Sequence, residues 1–158
     1  MSDKIFLTKK RFLELQEEYN TLISTGRKEM ADRIAEARSH GDLSENADYD
    51  AAKEAQGMLE LKINNLSSIL MRSQVLNSAD LPNDKVYILS IVTLKDQSEN
   101  TKIYELVSEV ESDSDKGKIS VTSPLGKLML GKKVGDTLEI KGPKGIAKYE
   151  ILNIKRSD

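Results

Sequence analysis

Residues 37–50 read Ala37-Arg38-Ser39-His40-Gly41-Asp42-Leu43-Ser44-Glu45-Asn46-Ala47-Asp48-Tyr49-Asp50. This stretch interrupts two long periodic runs. Upstream, apolar side chains fall at Phe12, Leu15, Tyr19 and Leu22, in steps of three, four and three, and resume at Met30, Ile34 and Ala37. Thr8 stands where a hydroxyl accepts a free first-turn amide. The eight-residue gap from Leu22 to Met30 passes Gly26 and predicts a local stutter. Downstream, Ala52, Ala55, Leu59, Ile63, Leu66 and Leu70 follow in steps of three, four, four, three and four. From Thr8 to Asn77 there is no proline and only three glycines, Gly26, Gly41 and Gly57. Both stripes suit helices pairing along a narrow seam. With the break at Ser39–Asp42, they predict an antiparallel coiled-coil hairpin over 1–78 whose tip is 41–50. Each arm of about 30 residues spans roughly 45 Å. The competing arrangement folds the two helices back on the second half as a bundle.

The tip carries four carboxylates, Asp42, Glu45, Asp48 and Asp50, and no Lys or Arg between 41 and 50; Arg38 and Lys53 flank it. Two readings are open. Acidic residues favour helix starts, and Asp42 with Glu45 has the spacing of a capping box, so the cluster can simply begin the second helix. Alternatively Leu43, an apolar side chain in a short turn among carboxylates, marks a surface that docks. Two carboxylates alone hold Mg²⁺ weakly, because the ion keeps several waters and is usually completed by substrate phosphates. Placed beside another protein's ligands and a phosphodiester, they could recruit an ion, and one could take a proton from the attacking water. His40, the only histidine, reads as an exposed turn residue without a catalytic role.

Past Leu81-Pro82-Asn83-Asp84 the period changes, which sets a linker at 79–84 and a second domain at 85–158. Short strands are predicted at Val86–Leu94, Lys102–Val110, Lys118–Thr122, Thr137–Lys141 and Ala147–Ile154. A helical turn interrupts them, with Ser123 as cap, Pro124 at its first position and Gly131 closing it. The fold class is therefore α+β, a helical hairpin followed by a small, mostly antiparallel sheet domain.

Composition narrows the function. With no cysteine, thiolate chemistry and Cys-ligated zinc are excluded, and a reducing compartment fits. A net charge of -2 argues against holding duplex by bulk charge. Aromatic residues make up 4% with no Trp, too few for an aromatic-lined ligand pocket. No apolar run reaches the roughly 18 residues of a membrane span, nor does the start resemble a signal peptide, so a cytoplasmic location without membrane contact is expected.

The tip and its surroundings resemble the GreA/GreB family of bacterial transcript-cleavage factors, closest to the GreA branch. The residues that carry the likeness are Ala37-Arg38, Gly41-Asp42-Leu43-Ser44-Glu45-Asn46-Ala47, Tyr49, Ala51-Ala52-Lys53-Glu54 and Gln56-Gly57. Leu7-Thr8-Lys9, Gly117–Val121, Ser123-Pro124-Leu125-Gly126-Lys127 and Leu130–Asp136 extend it over nearly the whole chain. The resemblance implies an FKBP-like second domain that docks on RNA polymerase and a coiled coil threaded into the secondary channel. By it, Asp42 and Glu45 help hold Mg²⁺ and a water near the 3′ end of backtracked RNA, with Gly41, Leu43, Ser44 and Asn46 supporting the tip. The factor is then no enzyme itself but lends carboxylates to the polymerase, and meets DNA only through the elongation complex. Arg38 and Lys53 stand for the family's RNA-contacting basic patch, though both equally read as solvated charges bordering an acidic tip. Ser123, Pro124, Leu125 and Lys127 would dock on the polymerase, or Ser123 and Pro124 simply start a helix. Where the family often has a proline this chain has Arg27-Lys28-Glu29, and Met58 replaces a frequent aromatic. The rival functions are a channel-binding paralogue that inhibits the polymerase, a prolyl isomerase and a hairpin chaperone. The tip carboxylates count against the first. The second domain's aromatics, Tyr87, Tyr104 and Tyr149 alone, count against the second, and the single apolar Leu43 against the third.

Overall fold

The computed structural model describes residues 4–41 and 47–157, with the side chain of Ser78 left aside. Two compact units emerge, Arg11–Arg72 and a second formed by the flanking residues through Lys10 and from Ser73 onward.

The helix α1 (Lys9–Thr21), preceded by Thr8 in the position a cap would take, enters the first unit at Arg11. A π-helical turn at Leu22–Gly26 leads into α2 (Arg27–Ser39). Thr21 and Gly26 keep helical backbone angles, so segments of 13, 5 and 13 residues run on as one helix. At 1.5 Å per residue it is roughly 45 Å long. The π turn is the stutter the sequence predicts. It absorbs the irregular step, so that Leu22 and Met30 both remain half-buried. Gly26 suits the spot because a Cβ there would lie 3.3 Å from Leu59 Cδ1.

Packed on this helix is α3 (Ala47–Arg72), of 26 residues. Cross-helix partners fix the direction. As one side steps back from Arg38 to Arg27 to Glu18, the other advances from Tyr49 to Glu60 to Lys62, which is an antiparallel register. The seam consists of the predicted stripes: Leu15, Ile34 and Ala37 are buried on one side, and Ala52, Ile63 and Leu66 on the other. Removing each Leu or Ile from water contributes about 1.5–3 kcal/mol. Leu13, Met58 and Leu61 lie off the stripe and are at least half exposed. Arg27 grips Glu60 through both carboxylate oxygens, at 2.9 and 3.1 Å. Both side chains reach water, where such pairs stabilise little.

The second unit contains β1 (Ile5–Leu7) and β2 (Ser73–Val75), which pair in parallel from Ile5↔Ser73 to Leu7↔Val75. Its main sheet has β3 (Ser90–Lys95), β4 (Thr101–Val107), β5 (Lys118–Ser120), β6 (Thr137–Gly142) and β7 (Gly145–Arg156) in the order β5-β4-β3-β7-β6. Only the β4–β5 contact of this sheet is parallel. Val86, Val92, Leu94, Leu106, Met129, Leu138, Ile151 and Ile154 form the core, closed by α4 (Pro124–Met129). The architecture is thus α+β, a long helical hairpin with an antiparallel-rich sheet.

Two features differ from the sequence reading. The segments 4–10 and 73–78 were grouped with the hairpin, whereas the β1–β2 pair joins them to the sheet unit. Buried Ile5 and Leu7, and a 3.0 Å bond from the Phe6 amide to Ser108 Oγ, hold the pair there. The strand expected from Val86 starts only at Ser90, because Leu89 turns the backbone to φ +71°. Val86 instead exchanges 2.8 Å bonds with the loop at Gly131 and Lys132. Among the described residues no helix is long and apolar enough to cross a membrane.

Candidate functional site

The residues of interest lie where α2 ends and α3 begins. Asp42, Leu43, Ser44, Glu45 and Asn46 fall outside the described residues. Their frame is described on both sides.

On the α2 side, the Arg38 and Ala37 carbonyls receive the Gly41 and His40 amides as the helix unwinds. Gly41 sits at φ +107°, a left-handed conformation that costs glycine little and other residues more. Arg38 in this last turn faces the partial negative charge of the helix end, while Asp48 and Asp50 complement the positive start of α3. Helix-end electrostatics thus accounts for part of the charge pattern.

Four side chains tie the two ends together. Arg38 donates from Nη2 to the Tyr49 hydroxyl at 3.5 Å, and its guanidinium carbon lies 5.6 Å from the ring centroid. His40 Nδ1 approaches Asp48 Oδ2 to 3.6 Å. The Arg38 bond holds the Tyr49 phenol below its ordinary pKa. Beneath these ties Ala37 and Ala52 are 4% and 0% exposed, small residues that let the helix backbones come close. Beside them a cleft of about 230 Å³ is lined by Arg33, Glu36, Ala37, His40, Asp48 and Ala51. It is smaller than the roughly 300 Å³ at which small-molecule sites begin, and its lining is about as polar as it is apolar.

Of the two expected basic flanks, Arg38 is therefore engaged with Tyr49. Lys53 is exposed and donates to Gln56 Oε1 at 3.0 Å along its own helix. Tyr49 is what the sequence reading missed: it stood in the motif without a role, since its partner lies across the turn.

Mg²⁺ can be tested against the donor set alone. Among the described residues no three carboxylate, His or Cys groups gather to hold a metal. Asp42 and Glu45 would supply two carboxylates, which fits Mg²⁺ only when other oxygens complete the shell.

In the sheet unit, Ser123 Oγ caps α4 by accepting the Gly126 amide at 3.1 Å and itself donates to the Ser120 carbonyl at 2.6 Å. Pro124 is the first residue of α4, and Leu125 packs against the core. Of the four residues expected to dock, Pro124 and Lys127 are exposed, and Leu128 and Leu130 accompany them at 37% and 39% exposure.

The chain combines a helical hairpin with an antiparallel-rich sheet unit, and family models match both parts. The family model "Transcription elongation factor, N-terminal" matches residues 5–75, and "Transcription elongation factor, GreA/GreB, C-term" matches 81–156. Transcription elongation factor GreA of Chloroherpeton thalassium is 51% identical over 98% of this chain and 99% of its own length. That of Chlorobium phaeobacteroides is 52% identical over 98% of each. A solved structure of GreA factor homolog 1 from Thermus thermophilus aligns over 96% of this chain and 99% of its own, at 28% identity and a TM-score of 0.46. The chain belongs to the GreA/GreB family of transcription elongation factors.

Proposed function

We propose that this elongation factor binds RNA polymerase through its sheet unit, inserts the helical hairpin into the secondary channel, and promotes the polymerase's own Mg²⁺-dependent cleavage of backtracked nascent RNA. The observation that carries the proposal is the motif Gly41–Asn46, lying between the two helix ends that Arg38–Tyr49 and His40–Asp48 tie together. The site of action is then the cytoplasm, with the RNA 3′ end as the contact and DNA met only through the elongation complex.

Asp42 and Glu45 would hold the ion that the polymerase binds loosely. When bound, Mg²⁺ activates water and stabilises charge on the phosphodiester oxygens. One of the two carboxylates would accept the attacking water's proton, while the other would stay on the ion. Leu43, Ser44 and Asn46 would support the two carboxylates, and Gly41 turns the chain as α2 ends. Lys53 is exposed and near enough in sequence to approach RNA phosphate. Pro124, Lys127 and the neighbouring Leu128 and Leu130 form the surface we assign to polymerase docking.

The test is RNA cleavage in a reconstituted backtracked complex. Asp42→Ala or Glu45→Ala is expected to lower stimulated cleavage about 100-fold or more, the usual worth of a proton-transfer group. Binding to polymerase should stay near normal. A protein lacking both carboxylates that still cleaves at the normal rate would refute the mechanism. Longer pauses without shortened RNA from the unaltered protein would instead make it an inhibitor.

A further inference from the structure

We infer that Arg38 and Tyr49 are positioning residues, which cross-link the end of α2 to the start of α3 and so fix the separation of the two helix ends that flank the acidic segment 42–46. The inference rests on the proposed function, because it concerns the same tip, and it gives Arg38 a positioning task. Its guanidinium lies over the Tyr49 ring, 5.6 Å from the centroid, and one nitrogen bonds the hydroxyl at 3.5 Å. That bond uses one of the five N–H donors of the guanidinium.

Each half of the pair has a reason for its chemistry. A planar guanidinium can lie on a ring and donate from its edge, and a lysine ammonium cannot do both. Tyrosine offers a face and an acceptor together, and phenylalanine offers only the face. The phenol's lowered pKa, attributed first to the bond from Arg38, agrees with a donor directed at its oxygen. The location matters as much as the contact. Arg38 is three residues before Gly41 and Tyr49 is the third residue of α3, so the pair spans the hairpin immediately below the loop. Ala37 and Ala52 are buried beneath it and set how closely the backbones approach. His40 and Asp48, 3.6 Å apart, add a second and weaker tie on the loop side. Fixing the two helix ends that flank residues 42–46 would limit how far Asp42 and Glu45 can stray from facing one ion. Misplacing reacting groups by about 1 Å can cost 100-fold in rate, so a slack frame should be visible in the chemistry rather than in binding.

The experiment measures single-turnover RNA cleavage in a backtracked complex at saturating factor, across Mg²⁺ concentrations. Tyr49→Leu and Arg38→Ala are each expected to lower the saturated rate about 10-fold, a partial misplacement, and to raise the Mg²⁺ concentration for half-maximal cleavage. The double variant should be no worse than either single one, since both remove one shared contact. Arg38→Lys should fail to restore the rate, Tyr49→Phe should be intermediate, and affinity for polymerase should not move. Should Tyr49→Leu disturb helix content by circular dichroism, Tyr49→Phe carries the test, because it keeps the ring and removes only the acceptor. Full activity in Arg38→Lys together with full activity in Tyr49→Leu or Tyr49→Phe would overturn the inference and make Arg38 a charge for RNA. Losses that multiply in the double variant would overturn it too. Absence of cleavage with the unaltered protein would refute the proposed function, and this inference with it. Normal cleavage that is lost in Asp42→Ala but indifferent to Tyr49 and Arg38 would refute the inference alone.

Discussion

Tyr49 has a measurable signature. Its phenol ionises below the usual tyrosine range chiefly because Arg38 donates to its oxygen; the charges of Arg38 and Lys53 add to this, while desolvation and Asp50 oppose it. The folded-state pKa is therefore the lower one. Near neutrality both folded and unfolded chains hold the proton and the pair adds nothing by this route. The stabilisation grows as pH rises through the folded value and is complete above the unfolded value of about 10. In an alkaline absorbance titration, one of the five tyrosines should ionise early; Tyr49→Phe should remove that phase and Arg38→Gln should move it upward. A curve unchanged by both substitutions would count against the contact. Gly126 offers a sharper steric test. A Cβ there would lie 2.1 Å from the Ser120 carbonyl oxygen, a backbone atom that cannot swing aside. Gly126→Ala should destabilise the sheet unit by about 3 kcal/mol, at the upper end of overpacking costs, read from denaturant unfolding. At this scale the sequence is informative where spacing rules are short. The Ser123 cap and Pro124 start are legible three residues at a time, but no local rule links Arg38 to a ring 11 positions away.

Helices showed themselves through their stripes. Phe12 to Ala37 and Ala52 to Leu70 are all buried or half-buried at the positions the periodicity marks. The π turn was visible only as an irregular step between Leu22 and Met30, since residue spacing records a phase change without its geometry. The β1–β2 pair left almost no trace: three residues each, one of them the polar Ser73-Gln74-Val75, give no alternation to read. The first four residues of the expected Val86–Leu94 strand were equally convincing by composition, and it is the backbone of Leu89 that diverts them. The chemistry proposed for the tip rests on Asp42 and Glu45 as sequence, because both lie outside the described residues. One prediction belongs to the seam. Ala52 is wholly buried where the arms close, so Ala52→Leu should cost about 1–3 kcal/mol in hairpin stability by far-ultraviolet circular dichroism, and slow cleavage by spreading the frame. Unchanged stability would mean the helices separate there without penalty.

Parallel strands cannot be joined by a tight turn; they need a crossover of a dozen or more residues. Between β1 and β2 that crossover is the entire helical hairpin, leaving after Leu7 and returning at Ser73. A chain in which Arg11–Arg72 is replaced by a Gly/Ser linker of about a dozen residues should therefore still fold its sheet, with a cooperative transition and most helical signal gone. A linker-bearing chain that aggregates or unfolds would show that the core depends on the hairpin. The same topology makes arm length a variable independent of the sheet. Adding one heptad to each arm lengthens the hairpin by about 10.5 Å yet preserves both strand partners and the seam's phase. If the hairpin enters the polymerase channel as proposed above, the depth of that channel, and not the folding of the rest of the chain, sets how long the arms must be.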